Sequence, residues 1–236
     1  MDLLTHLLAA DPGTPRLTVY NEAQGSRLDF SAQTLDNWAA KVGNFYKEEL
    51  DLEAGDKVVI DLPVSWQAAV LALGAIAAEV SYTLLGPADD APAAGADRDE
   101  PGAGNSGVCF TSLDKFADYD AAGFTDIVVV TDDPFGRGVE ESGGELPAGA
   151  IDFGPTVRFY GDHFPYPTAP LPALFPDAGA SQRLLSTGWS NNADFDRTVL
   201  VPLAAGGSAV VVTGLVPAER LESIAQSEKV TARDER

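Results

Sequence analysis

Apolar positions along the chain change period several times, and each change marks an element. Residues 52–85, LEAGDKVVIDLPVSWQAAVLALGAIAAEVSYTLL, carry the clearest succession. Lys57 to Leu62 is a β-branched apolar run of strand length. The Gly55-Asp56 turn opens it, and Pro63, with no N–H to give to a ladder, closes it. From Ser65 to Glu79 the residues are apolar almost all round, with Trp66, Val70, Leu73, Ala77 and Val80 at helical spacing. Such a pattern predicts a helix buried on most of its surface. A further strand running to Leu85 completes one parallel strand–helix–strand unit.

On the N-terminal side, Leu3, Leu4, Leu7 and Leu8 form one face of a short helix over 3–9, stopped by the Asp11-Pro12-Gly13 turn. Arg16 to Tyr20 and Ser26 to Phe30 read as a hairpin around Gly25. Ser31 is placed to cap a helix reaching Leu50, whose apolar face is Leu35, Trp38, Val42 and Phe45. On the C-terminal side, strands are predicted at Val108–Thr111, Asp126–Thr131, Ala150–Phe153, Thr156–Tyr160, Arg183–Thr187, Gly207–Thr213 and Val230-Thr231. Helices fit 112–122, 192–204 and 217–228, the last with Pro217 in its first turn. Residues 161–181, rich in Pro and Gly, read as loop. This alternation predicts an α/β fold, a largely parallel sheet flanked by helices, over a single domain 1–236.

Two stretches break the pattern. Residues 86–107 hold eight Gly or Pro and five acids without an apolar period, an irregular acidic surface loop between strands of one sheet. A second acidic loop, DDPFGRGVEESGGE, follows Thr131. They belong to a strongly acidic chain: 15 basic against 36 acidic residues give a formal net charge of −21. That balance argues against nucleic acid and against an anionic membrane surface, both of which are held by clustered Lys and Arg. No apolar run reaches transmembrane length, and the N-terminus lacks a basic, cleavable leader pattern. One cysteine, Cys109, cannot form an intrachain disulfide, which fits a cytoplasmic protein.

Chemistry-bearing motifs are sparse. His6 and His163 share no metal-ligand spacing, Cys109 lies between Val108 and Phe110 in a strand, and neither a nucleophile elbow nor a dinucleotide fingerprint follows any strand. Asp132-Asp133 at a strand's carboxyl end, with Glu140 and Glu141, could bind a hard cation, but they read as a solvated acidic loop, and no metal is expected. The densest polar cluster beside an aromatic is Thr187, Trp189, Ser190, Asn191, Asn192 and Asp194, which also follows a strand. It reads either as a ligand cleft or as a helix-capping loop with Asn192 or Asp194 as the cap.

Several segments in order resemble the N-terminal part of the adenylate-forming superfamily: acyl-CoA synthetases, peptide-synthetase adenylation domains and luciferases. GDKVVIDLP with its Ala/Leu helix, DIVVVTDD, PLAAGGSAVVV and PAERLESIAQSEKVT carry the likeness, which further resembles short actinobacterial-type stand-alone relatives. The resemblance implies the N-terminal subdomain fold of those enzymes, and sets residues 187–194 where their acyl-side pocket lies. It also implies a Gly/Ser/Thr-rich phosphate loop ending in Pro-Lys-Gly between Tyr160 and Arg183. There this chain reads GDHFPYPTAPLPALFPDAGASQ, with no lysine and five prolines that each remove an N–H. The family's remaining ATP-binding motifs and its C-terminal catalytic lysine would lie beyond Arg236. The expectation is therefore a truncated, catalytically inactive relative with no cofactor and no catalytic residues. An exposed apolar face left by a missing half would favour a two-fold homodimer or an unknown protein partner. The other reading is a binder of an acyl or carboxylate small molecule, or an unrecognised enzyme, using a cleft near Trp189.

Overall fold

A computed structural model of the chain describes residues 1–86 and 107–234. The irregular stretch 86–107 thus falls, apart from its two end residues, outside the described residues. In chain order the strands are β1 (Pro15–Asn21), β2 (Ser26–Ser31), β3 (Lys57–Asp61), β4 (Ser81–Leu84), β5 (Val108–Thr111), β6 (Asp126–Val129), β7 (Ile151–Asp152), β8 (Arg183–Ser186), β9 (Ser208–Thr213) and β10 (Ala232–Arg233). The α-helices are α1 (Thr5–Ala10), α2 (Ala32–Asn44), α3 (Trp66–Ala78), α4 (Phe116–Ala121), α5 (Phe153–Val157), α6 (Leu171–Leu174), α7 (Asn192–Phe195), α8 (Val201–Ala204) and α9 (Ala218–Ser227). The α/β character and the largely parallel pairing hold. They are distributed over two five-stranded sheets in two compact units, Met1–Asp36 with Pro167–Arg236 and Asn37–Tyr166.

The unit Asn37–Tyr166 holds the sheet β4-β3-β5-β6-β7, parallel throughout. The opening strand–helix–strand unit is its core. Ser65 caps α3 by accepting from the Ala68 N–H, and Glu79 ends it in the left-handed region at φ 58°. Of the thirteen α3 residues all but Ile76 are buried, as an all-round apolar helix requires. Gly74 marks the tightest approach. A Cβ there would lie 2.3 Å from Val42 Cγ1 and 2.5 Å from Val42 Cβ, so α2 and α3 touch backbone to side chain. One sheet face buries Val59, Cys109, Tyr119, Phe124 and Ile127. Elsewhere in the unit Phe45, Tyr46, Phe110 and Phe153 meet edge to face at 5.4–6.5 Å.

The other unit holds the sheet β10-β8-β9-β1-β2, in which only the β1–β2 hairpin is antiparallel. Ser31 caps α2 as expected, its Oγ accepting from the Thr34 N–H at 3.1 Å. Gly206 (φ 78°) and Gly207 set the entry to β9. A Cβ on Gly207 would lie 2.1 Å from the Gln182 carbonyl oxygen, which accepts from the Ser208 N–H at 2.8 Å. The core here is Tyr20, Leu185, Val210, Val212, Ile224 and Ala225. Residues 192–204 are helical as predicted, with Asp196–Leu200 widened to five-residue hydrogen bonding just ahead of Pro202. The widening relieves the clash a proline ring makes with the preceding turn.

Three local expectations are corrected. Thr156–Tyr160 is not a strand: β7 stops at Asp152, and Phe153–Val157 is helical because Pro155 suits a first helical turn, where no N–H is needed. The 161–181 loop contains the short helix α6, entered by Pro172. The last strand starts at Ala232 rather than Val230, after Lys229 turns the chain at φ 54°.

Candidate functional site

The six polar-cluster residues follow β8 as a tight turn into α7. Gly188, at φ 106°, lets the chain reverse, and Trp189 drops into the unit edge-to-face on Phe195 at 4.9 Å. Asn191 caps α7: its Oδ1 accepts from the Asp194 N–H at 3.0 Å, while its Nδ2 reaches Asp194 Oδ2 at 3.3 Å. The cap is therefore Asn191, not Asn192 or Asp194. Backbone geometry decides it, because Asn191 is the last extended residue before the helix. Asp194 is buried and doubly engaged: Oδ2 accepts from the Ser190 N–H at 3.3 Å and Oδ1 from Arg197 at 3.1 Å. Arg197 also pairs with Asp234. Thr187, Ser190 and Asn191 are exposed and Asn192 is half-buried. The structure thus brings Trp189, Ser190, Asn191 and Asp194 into one hydrogen-bonded turn.

Parallel α/β sheets place ligands at the carboxyl ends of their strands. In the unit Asn37–Tyr166 those ends are filled by the chain's own side chains. Asp61, ending β3, is buried and accepts from Lys115 Nζ at 2.7 and 2.9 Å and from the Tyr119 hydroxyl at 2.9 Å. Burial and the facing Asp61 carboxylate push the Tyr119 phenol well up, and burial likewise raises the Cys109 thiol, leaving it inert. Beyond β6, Gln67 donates to the Thr131 and Asp133 carbonyls at 3.3 and 2.8 Å. The Asp133 carboxylate accepts from the Phe135 and Arg137 N–H groups and from the Arg137 guanidinium, which holds it below the ordinary aspartate range. Glu141 accepts from Arg158 and from the Gly138 N–H and is lowered in the same way. Asp152 Oδ2 accepts from the Val139 N–H at 2.8 Å, and burial raises its carboxyl.

The acidic loop therefore folds on itself through arginines and backbone amides. Among the described residues no group of three or more His, Cys, Asp or Glu side chains is gathered to hold a metal ion. His6 Nε2 meets the Leu203 carbonyl at 2.8 Å, and His163 is exposed, its carbonyl accepting from Asn44 at 2.9 Å. A shallow cleft of about 270 Å³ lies elsewhere, lined by Leu174, Phe175, Pro176, Asp177, Ala178 and Val201, none of them in the 187–194 turn.

Sequence reasoning missed the largest ionic cluster. Glu228, at the end of α9, accepts from Tyr20 Oη at 2.6 Å, from Arg27 Nε at 2.8 Å and from Arg183. Arg183 also donates to the Glu228 carbonyl at 2.7 Å, to Ser208 at 3.1 Å and to Thr18 at 3.0 Å. Burial pushes the Glu228 carboxyl up, but donation by Arg27, Tyr20 and Arg183 outweighs it and brings it to about 2. The side chains that donate to Glu228 lie 45 to 208 residues from it, so no local spacing announces the cluster.

No protein-family model matches the chain. A TIGR03089 family protein of Mycobacterium tuberculosis (strain ATCC 25618 / H37Rv) is 34% identical over 252 residues, spanning 97% of this chain and 95% of that protein. Among solved structures, Brucella canis acyl-CoA synthetase matches with a TM-score of 0.71 at 19% identity, over 99% of this chain and 47% of its own. Acetoacetyl-CoA synthetase from Streptomyces lividans matches with a TM-score of 0.71 at 17% identity, over 99% of this chain and 42% of its own. The chain spans less than half the length of either synthetase. At these identities the likeness is one of fold.

Proposed function

The chain belongs to the TIGR03089 family, and from that premise we propose that it is a catalytically inactive acyl-CoA synthetase-like protein with a binding or assembly role in the cytoplasm. The observation that carries this reading is the segment 161–182. It has the place in the chain where the resembled ligases hold their phosphate loop, and it contains five prolines and no lysine or arginine. A triphosphate needs free backbone N–H groups and a cation to offset its charge. In this segment the Leu171 N–H donates to the Leu3 carbonyl at 2.9 Å and the Phe175 N–H to the Leu171 carbonyl at 3.2 Å, so those donors are already used. The strand-end carboxylates Asp61, Asp133 and Asp152, each already hydrogen-bonded within the chain, support the same reading.

Carboxylate-dependent ATP–pyrophosphate exchange tests this reading directly. With acetate, acetoacetate and longer acyl acids, exchange is expected to stay at background, and turnover with any of them would overturn it. For the assembly role, support comes from large apolar side chains left in water: Phe135 and Phe159 in one unit and Leu215 in the other, 77%, 88% and 101% exposed. Light scattering over a hundredfold concentration range is expected to report a homodimer. A ligand role for the 187–194 turn, favoured by exposed Thr187, Ser190 and Asn191 beside Trp189, is checked by thermal shift with acyl-CoAs and carboxylic acids. A ligand at 100 times its Kd would stabilise by about 2.7 kcal/mol, an easily read shift.

A further inference from the structure

We propose that the free edge of β2 is the surface through which two copies of this chain pair, as antiparallel strands related by a two-fold axis through Leu28. This deepens the assembly reading and rests on it. β2 is the end strand of its sheet, hydrogen-bonded to β1 on one side. At six residues it is the longest of the four edge strands; β4 has four, and β7 and β10 have two each. An edge that length is a template for another strand unless it is blunted, commonly by lysine, proline or a bulge. The segment Ser26–Asp29 contains no lysine and no proline, and its register with β1 is regular.

What it does carry is a self-complementary pair of charges. Arg27 and Asp29 lie on one face, opposite Tyr20 and Thr18 of β1, and Leu28 lies on the other, opposite Val19. A two-fold axis perpendicular to the sheet maps each residue onto the same face of the partner strand, so one residue must oppose its own copy. Centred on Leu28, the pairing sets Arg27 against the second copy's Asp29 and Asp29 against its Arg27, with leucine against leucine on the other face. Centred on Arg27 or on Asp29 it would oppose like charges. Opposite charges directly across an antiparallel pair stabilise it and like charges destabilise it. Of the registers centred on residues 27 to 29, charge thus selects the one on Leu28, and its self-complementarity makes a second copy of the chain the fitting occupant. Within one copy Arg27 and Asp29 pair with each other, and Arg27 also with Glu228. With 44% and 30% of their side-chain surface in water, each can take a second opposite charge from the partner copy, so the dimer would extend this pair into a network.

The test is a single cysteine on the axis. Directly opposed residues place their Cβ atoms about 4.5–5.5 Å apart, closer in a non-hydrogen-bonded pair, so a small shift at this edge brings them to the roughly 3.5–4.5 Å a disulfide spans. Cys109 is buried and does not compete. Leu28→Cys is expected to form a covalent dimer under mild oxidation, while Ser26→Cys, displaced from the axis on both strands, forms none. In the unsubstituted chain, amide exchange in 26–29 should slow as concentration rises across the dimerisation range, a measurement that does not depend on a variant folding. A dimer by light scattering, with neither Leu28→Cys crosslinking nor concentration-dependent protection of 26–29, would overturn this interface and leave the assembly reading standing. A monomer throughout, with no crosslink, would overturn both.

Discussion

Replacing Glu228 by Gln isolates the one carboxylate whose surroundings most favour its charged form. Its side chain is 7% exposed and receives Tyr20, Arg27 and Arg183. A fall from the ordinary glutamate value of 4.5 to about 2 corresponds to about 3 kcal/mol of folding stability at neutral pH, at about 1.4 kcal/mol per pH unit. The sign follows from the depressed value: this stability is fully present above about pH 5 and is lost as pH falls toward about 2. Glutamine keeps the shape but offers Arg183 a neutral acceptor in a site where that guanidinium is only 18% exposed. Removing one partner of such a buried pair should cost about 2–4 kcal/mol. Urea unfolding at pH 7 and at pH 3 reads both numbers. The variant is expected to be about 3 kcal/mol less stable at pH 7, with the gap narrowing to about half or less at pH 3. Other lowered carboxylates, such as Asp133 and Glu141, are common to both proteins and cancel in the difference. A gap under about 0.5 kcal/mol at pH 7, or one that does not change with pH, would refute the electrostatic account of this cluster.

Leu73→Asp sets a charge at a fully buried position of α3 and should abolish folding of the Asn37–Tyr166 unit, read by circular dichroism, whereas Leu73→Met should cost under about 1.5 kcal/mol. Gly74→Ala gains about 1 kcal/mol of helix propensity but drives a methyl to within 2.5 Å of Val42 Cβ, which no rotamer change moves. A net loss of about 1–3 kcal/mol in denaturant unfolding is expected, and a gain would contradict the tight α2–α3 approach. Asn191→Ala removes the cap of α7 and should lower stability by about 1 kcal/mol in the same assay.

The elements that were legible are those whose period and punctuation agree. Lys57–Asp61, ended by Leu62-Pro63, and the all-round apolar helix from Trp66 needed no tertiary information, because burial on every side leaves only one reading of a continuous apolar run. The same logic failed at Thr156–Tyr160, where Thr, Val, Phe and Tyr have strand propensity but Pro155 had already started a helical turn. It also could not say that the β1–β2 hairpin would join β8, β9 and β10 in a sheet of their own, since strand partners are chosen by contacts between residues far apart in the chain. In the 187–194 turn composition found the segment but set its cap at Asn192 or Asp194, one or three residues past Asn191. Asn191 and Asn192 offer the same side chain, and only the backbone angles of Asn191 are extended.

Charge was legible in total but not in its pairing. Thirty-six acidic residues against fifteen basic ones left the acidic loop after β6 open to a hard cation, though it reads as a solvated loop and no metal is expected. Yet at least ten of the fifteen basic residues, Arg27, Lys41, Lys47, Lys115, Arg137, Arg158, Arg183, Arg197, Arg220 and Arg233, sit within 4.0 Å of a carboxylate oxygen. Arg16 is turned onto the Gly206 and Gly207 carbonyls at 2.7 and 3.2 Å. Most of the scarce cations among the described residues are thereby paired with a carboxylate or a carbonyl, Arg183 in a buried cluster and Arg137, Arg158 and Arg220 at the surface. The carboxylates beside them, Asp61, Asp133, Asp194 and Glu228 among them, are the ones placed at strand or helix ends where catalytic groups would stand. Breaking a buried pair such as Arg183–Glu228 would leave a charge without a partner. The excess acid remains on the surface, where it repels phosphate rather than attracting it. The ionic arrangement and the lysine-free segment before β8 are thus two supports, from independent residues, for the proposal that this acyl-CoA synthetase-like fold is used without ATP-dependent chemistry.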